Sequence, residues 1–595
     1  MGLDLIRDST VGQVINYLSK GRLLPYADQR PGYVVPTRFL TVDRKQKEIG
    51  SDATTLCEEE SEKRQSRGAA TPALERANTA ATLSGVQSLS ASGTTTPSPA
   101  ELERASTPAT LTEKQVAGNG VDIPDPYLVD WEENDPDDPQ NWSFRKRAFV
   151  AFEISLLTFS VYIGSAIYTS SIPGIMQEFN VSLVMATLGL TLYVLAYGIG
   201  PMFLTPLQEL PFLGRNPVYI ATLFLFVIFQ IPLITAKNIH TVLAMRFMTG
   251  LFGSPALATG GASMGDIFPS HQHPYVLGIW ALGAVAGPIT GPVIGGFAAQ
   301  AESWRWPILE LLWISAFTVI FLALFLPETN GPTILLRRAE RLRALTGNPE
   351  LKTATERADE SAGVGKVVYD ALVLPFVLSI EPVLLFANIY LGFIYAVFYL
   401  WFEAFPLVFG AIYHFNEGLS GLPFLGFLVS GTITYTVYCL YQMYHIAPRY
   451  ARAAAAGKEV PPEIKLEIGL MASIFIPASV LIFGFASKAT IHWIVPVIGA
   501  ALYLPGIFLI FQSILMYVTT AYPDHGAPVL AANDLFRSSI ASVFPLFGRA
   551  FFSNLGLGPG SAVLAGISFF LIAVYYLLLR YAHILRKRSK YALST

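Results

Sequence analysis

Arg246 stands inside the apolar run VLAMRFMTGLFGSPALATGG, and its type and place frame the chemistry open to this chain. A guanidinium stays protonated in proteins, and holding one at the centre of a bilayer costs about 2.5–3.5 kcal/mol or more. Such a residue is expected to face a cavity or a carboxylate rather than lipid. It cannot carry a proton itself. It does favour the ionised form of an acid placed beside it, so an arriving ligand can change that acid's occupancy. Glu153 and Glu310 also lie in apolar runs and are the candidate carriers, with a place near the headgroups as the other reading for each. Asp534 and Arg537 are one helical turn apart and suited to neutralise each other.

Other chemistries find little support. The 8 histidines show no metal-ligand spacing, and the 2 cysteines, Cys57 and Cys439, offer neither a disulfide framework nor a metal site. No Gly-rich loop ending in Lys-Ser/Thr is present, so ATP is not the evident energy source. No nucleophile, base and acid converge, which argues against an enzyme. The expected cofactor set is empty, with no metal and no nucleic-acid partner. With 52% hydrophobic and only 14% charged residues, the chain departs from soluble composition.

The elements that would position these residues are apolar runs of bilayer length. They fall near 148–170, 183–204, 216–235, 240–263, 273–298 and 304–326, then near 378–402, 418–444, 466–486, 491–517, 523–549 and 560–584. The pattern predicts an all-α integral membrane protein with twelve transmembrane helices in two six-helix bundles. The boundaries expected are an N-terminal region 1–145, a bundle 146–326, a polar central loop 327–377, a bundle 378–585 and a tail 586–595. Arg145, Lys146, Arg147, Arg215, the 337–366 cluster, Arg449, Arg452 and the tail RYAHILRKRSK fall on one side. Lys237, Arg305, Lys488 and Arg549 fall on the other. The excess places both termini and the central loop in the cytoplasm.

The N-terminal region begins with Val11, Val14, Ile15 and Leu18 at helical spacing, which suggests one short amphipathic helix. Residues 50–120 are rich in Ser, Thr, Ala, Glu and Pro, and disorder is expected there. Within them Thr79, Ser106 and Thr107, near Arg76 and Arg104, are candidate phosphorylation sites, against a plain solvated tail.

One run raises a separate question. GIWALGAVAGPITGPVIGGFAA, residues 278–299, is apolar yet crowded with glycine and proline. In lipid no water competes for the helix backbone, so both residues cost less there, and small residues let a second backbone approach. Gly283, Gly287, Gly291 and Gly295 recur every four residues as one smooth stripe, with Pro288 and Pro292 following two of them. Packing alone explains the stripe but not the doubled GPxxGP rhythm.

GAVAGPITGPVIGG resembles the fifth-span antiporter signature of the major facilitator superfamily, in its twelve-span drug:proton antiporters. The match covers Gly283, Gly287, Pro288, Gly291, Pro292, Gly295 and Gly296. PLQELPFLGRNPVY resembles that family's signature loop between spans two and three, with Glu209, Gly214 and Arg215 at matching positions. It departs by placing the acid five residues before the glycine and Pro206 near the usual first glycine. That longer form, RDSTVGQVINYLSK, the YVVP at Tyr33–Pro36 and DPDDPQNW resemble the fungal benomyl- and azole-resistance exporters.

The resemblance implies a kinked fifth helix against the other half, a proton-coupling role for Arg246, and a cytoplasmic gate of Glu209, Gly214, Arg215 and Asp266. By family analogy, Tyr193, Tyr197, Tyr399, Phe402, Tyr435, Tyr438 and Gln512 are substrate-binding candidates. The expectation is a monomeric exporter in the plasma membrane, driven by the proton gradient and extruding amphipathic toxic molecules such as azoles and benomyl. Export of an endogenous secondary metabolite or polyamine is the alternative.

Overall fold

In the computed structural model the described residues are 2–19, 22–30, 125–361 except 126, and 373–592 except 459, with isolated positions 32, 33, 35, 39 and 369. The low-complexity stretch 50–120, with Thr79, Ser106 and Thr107, lies outside them.

Among the described residues, ten helices are long and apolar enough to cross a membrane: α1 (Phe144–Phe179), α2 (Leu183–Glu209), α3 (Arg215–Ile234), α5 (Ser270–Ala301), α6 (Trp306–Phe325), α7 (Pro382–Ile412), α8 (Glu417–Ala455), α9 (Pro462–Ala486), α10 (Ile494–Ala521) and α12 (Leu557–Arg588). Two more, α4 (Ile239–Ile267) and α11 (Gly526–Leu555), are equally long but richer in polar residues. They are the helices that carry Arg246 and the Asp534–Arg537 pair. Their polarity makes sense only if they are shielded from lipid, and both pack between other helices.

Helix starts follow the local sequence. Ser143, Ser182, Asn238 and Asn416 each accept a hydrogen bond from the backbone N–H three residues on, at 3.4, 3.3, 2.8 and 2.8 Å. These caps satisfy donors that hydrocarbon would leave stranded. Near Gly200 and Pro201, α2 passes from its first segment, Leu183–Ile199, into a second, Pro201–Glu209. The last turns of α7, Pro406–Ile412, widen into a π-helix after Pro406.

Burial sorts the helices into inner and outer. In its most apolar stretch α7 buries 83% of residues, whereas α8 buries 28% and α6 and α12 bury 33% each. The inner elements line the seam between the two halves. There α2 packs on α11, and α5 packs on α8.

The glycine stripe of α5 faces mainly its own half. A Cβ on Gly287 would lie 2.8 Å from the Ile163 nitrogen, and one on Gly291 2.8 Å from that of Ile167, both in α1. A Cβ on Gly295 would meet Ile167 at 2.9 Å. The seam is met by another face of α5. There a Cβ on Gly278 would touch Tyr435 at 2.9 Å, and one on Gly296 would touch the Glu417 carbonyl at 2.8 Å. One helix is therefore gripped on two sides, with both glycines of the doubled rhythm turned to α1.

Before α1, two short helices, Gly2–Asp8 and Thr10–Ser19, stand where one was expected. Gly12 and Asn16 face inward, while Val14 and Leu18 are 52% and 75% exposed. Val11 and Ile15 are half-buried, so only half of the apolar positions at helical spacing face inward, and polar contacts help to seat this segment. Thr10 donates to Asn216 at 3.0 Å, and Asp8 pairs with Lys146 at 3.6 Å. Two helices, Gly331–Thr346 and Ala354–Ser361, lie within 327–377, where the sequence suggests only a polar loop. All twelve long helices belong to one compact unit. In a second unit, 32–128 with 340–351, Arg343 donates to the Leu351 carbonyl at 3.2 Å.

Candidate functional site

Three polar centres lie along the axis of the bundle. The first is at the end that carries Arg215, called here the basic end. Gly214 has φ +79°, a left-handed turn that breaks α2 from α3, and a Cβ there would run into the Glu328 carboxylate. Arg215 follows and is 6% exposed. Its guanidinium pairs with Asp266 at the end of α4, at 2.5 Å, and with Glu209 at the end of α2, at 3.2 Å. The acid five residues before the glycine still reaches the arginine, because Gly214 folds the chain back.

Glu328, just after α6, completes this centre. Its carboxylate accepts from the backbone N–H groups of Arg215, Asn216, Thr329 and Asn330 at 3.0–3.3 Å. A carboxylate at the N-terminus of α3 meets both unpaired donors and the positive end of the helix dipole. Arg337 stands 4.0 Å away. Sequence reasoning passed over Glu328. The available signal was an acid immediately after the last apolar turn of α6.

The second centre is a cluster of tyrosines and buried charges at mid-bundle. Tyr197 hydrogen-bonds Tyr395 at 2.7 Å and Tyr399 at 3.0 Å, joining α2 to α7 across the seam. Tyr193 and Tyr162 pack on Tyr197 with ring centroids 6.0 and 6.2 Å away. Arg537 pairs with Asp534 on α11 and lies over the rings of Tyr395 and Phe511 at 5.0 and 5.3 Å.

Arg246 lies beside this cluster, 1% exposed. Of the two surroundings expected, a cavity or a carboxylate, the carboxylate is not its partner. Nε donates to the Gly189 carbonyl at 3.1 Å and Nη1 to that of Gly164 at 2.8 Å. The Tyr168 and Tyr193 rings flank the guanidinium at 4.4 and 4.2 Å. Glycines at 164 and 189 leave room for the Tyr193 and Tyr168 rings that flank it, so three helices, α1, α2 and α4, close around one cation. The charge is met by carbonyl dipoles and ring faces rather than an anion.

The carrier candidates lie elsewhere. Glu153 is fully buried with neither carboxylate oxygen hydrogen-bonded among the described residues. It is eleven residues along α1 from Gly164, about 16 Å at the helical rise. Glu310 on α6 is half-buried, with one oxygen buried and unbonded.

The other substrate-binding candidates divide. Phe402 adjoins Tyr399, ring centroids 5.5 Å apart. Tyr435 and Tyr438 sit on α8 towards the basic end. Tyr435 donates to the Tyr275 carbonyl at 3.1 Å, and Tyr438 packs on Phe508. Gln512 is buried on α10 next to Phe511. The structure thus brings Tyr193, Tyr197, Tyr399 and Phe402 together and leaves the α8 pair apart. It adds Tyr162 and Tyr395, indistinguishable in sequence from the many lipid-facing aromatics.

The third centre is a cavity of about 260 Å³ towards the end opposite the basic one. Residues from α1, α2, α5, α7, α8 and α11 line it, including Thr169, Pro292, Phe402 and Glu403.

Two bundles of helices around polar centres at a common seam define a membrane transporter. The family model described as Major Facilitator Superfamily matches residues 154–545, and the chain belongs to that superfamily. It is 42% identical over 472 residues to Transporter mfs1 of Schizosaccharomyces pombe, covering 78% of this chain and 88% of that one. Identity to Fluconazole resistance protein 1 of Saccharomyces cerevisiae is 39%, covering 81% and 88%. Cycloheximide resistance protein of Candida maltosa is 36% identical, over 99% of both chains. Among solved structures, the proton:xylose symporter XylE superposes with a TM-score of 0.51 at 12% identity, covering 74% of this chain and 97% of that one. That last likeness speaks to the fold alone.

Proposed function

We propose that this protein exports amphipathic toxic small molecules, azole antifungals among them, in exchange for protons. What carries the reading is similarity of 36–39% over most of the chain to proteins named for fluconazole and cycloheximide resistance. The mid-bundle cluster fits such cargo. Aromatic faces and a few hydroxyls hold varied apolar molecules without demanding one hydrogen-bond pattern. The two halves rock about the seam and open the cluster to each side in turn. The Arg215 centre closes the basic end, which the charge distribution assigns to the cytoplasm together with both termini. Arg246 binds α1, α2 and α4 into one body and sets a fixed positive charge beside the cargo. The protein acts as a monomer in the plasma membrane, with the proton gradient as its energy source.

The test is resistance to fluconazole in a drug-sensitive host deleted for its own pumps. Expression of this chain should raise the inhibitory concentration, and an uncoupler should abolish the difference. Arg246→Ala should remove resistance while the protein still reaches the cell surface. Unchanged sensitivity with the wild-type chain at the surface would end the drug-export reading.

A further inference from the structure

Glu403 lies in the run YLWFEAFPLVF on α7, the most enclosed helix of the molecule. Its side chain is 7% exposed and lines the cavity described above. The α11 backbone presses against it, since a Cβ on Gly548 would lie 3.2 Å from its Cγ. Among the described residues its carboxylate makes no hydrogen bond or ion pair. A buried carboxylate without partners is unfavourable when ionised, so it takes up a proton or draws in a cation.

Both remedies are at hand. Among the described residues three charged side chains line this cavity: Glu403, Glu417 and Arg549. Glu417 and Arg549 are exposed and mark the mouth, while Glu403 forms the floor. Arg549 is near enough for its charge to act on Glu403 without forming an ion pair. Pro292 and Gly296 of α5 form another wall, at the place where α5 meets α8 across the seam. Movement of the halves would therefore change the size of this cavity and its access to water. Glu153 has no such access, since its carboxylate oxygens are both buried.

We propose that Glu403 is the proton-binding site of the transport cycle, loaded from the medium at the end opposite the basic one. Hydronium in the cavity gives its proton to a Glu403 oxygen. One O–H bond breaks, one forms, and water remains. When the halves rock, the proton returns to water at the basic end, and Arg549 accompanies the ionised carboxylate on its way back. This inference rests on the reading of the protein as a proton-driven exporter.

Purified full-length protein in proteoliposomes tests it with labelled fluconazole and two assays. In the first, an imposed pH gradient drives accumulation. In the second, labelled and unlabelled drug exchange at equal concentration with no gradient. Glu403→Gln should lose accumulation by an order of magnitude or more, yet keep exchange that no longer varies with pH. Glu403→Asp should restore part of the accumulation. Arg549→Ala should move the pH midpoint of exchange upward, because a nearby cation favours the ionised form.

Accumulation by Glu403→Gln at the wild-type level overturns the assignment and leaves the exporter reading intact. Absence of gradient-driven accumulation by the wild type overturns the exporter reading instead. If Glu403→Gln loses exchange as well, the pH dependence of drug binding to the detergent-solubilised protein decides. A titration present in the wild type and missing in the variant supports the role, and the same titration in both overturns it.

Discussion

The two ends of the molecule treat buried charge in opposite ways. At the basic end Arg215 meets Asp266 and Glu209, while Glu328 gathers four backbone N–H groups, so each of these three carboxylates has a partner. At the other end Glu403 borders a cavity with Arg549 close by but unpaired. A closed network stabilises one arrangement of helix ends and resists change. A carboxylate in an unfilled cavity is left with two comparable states, and such a site suits a ligand that comes and goes. The difference teaches where to look for stability and where for turnover.

The comparison breaks most readily at Arg215. Arg215→Ala leaves Asp266 without its cation and should cost about 3 kcal/mol, the low end for a broken buried pair because Glu209 and Asp266 keep some access to water. The check is the thermal unfolding midpoint of purified protein in micelles. Glu403→Gln, nearly equal in size and with no ion pair to break, should cost clearly less when measured the same way. Equal losses at both ends would erase the contrast.

A smaller effect tests the two faces of α5. Gly291→Leu forces α1 away and should lower stability by about 1–3 kcal/mol. Gly296→Leu, aimed at α8 across the seam, should impair drug efflux more than it lowers the unfolding midpoint. The reverse order would mean that the stripe, not the opposite face, forms the moving contact.

The smallest effect sharpens the picture of the basic end. Burial opposes ionisation of Asp135, but Arg338 and the N–H groups of Asp137 and Glu132 outweigh it and hold the carboxyl below its usual range. A depressed folded value means that the stabilisation is present above the unfolded pKa and is lost as pH falls through the folded one. Asp135→Asn should therefore cost about 1 kcal/mol at pH 7, with the gap closing in acid. A gap that persists at low pH would assign the effect to packing.

Much of the fold is legible in the sequence, because length and hydropathy suffice to mark a helix that must satisfy its own backbone in lipid. The two polar helices are the instructive cases. Both α4 and α11 carry charges that hydropathy counts against them, and only their neighbours explain how lipid is kept away. Arg215 with Glu209 and Asp266 was readable only through the resemblance of these positions to the family's signature loop and gate. Glu328 and Glu403 were equally visible as acids beside or within apolar runs. Nothing in the spacing said that one would cap a helix and the other line a cavity.

By itself the sequence determined the membrane helices, their division into two sets and the residues small enough for close approach. These follow from the cost of exposing peptide groups and charges to hydrocarbon, which acts one segment at a time. Only the tertiary structure decided which partner each buried charge meets. Arg246 found carbonyls and tyrosine faces where a cavity or an acid was expected, because three helices converge on it. Partner choice depends on distances between segments, and those are set by packing.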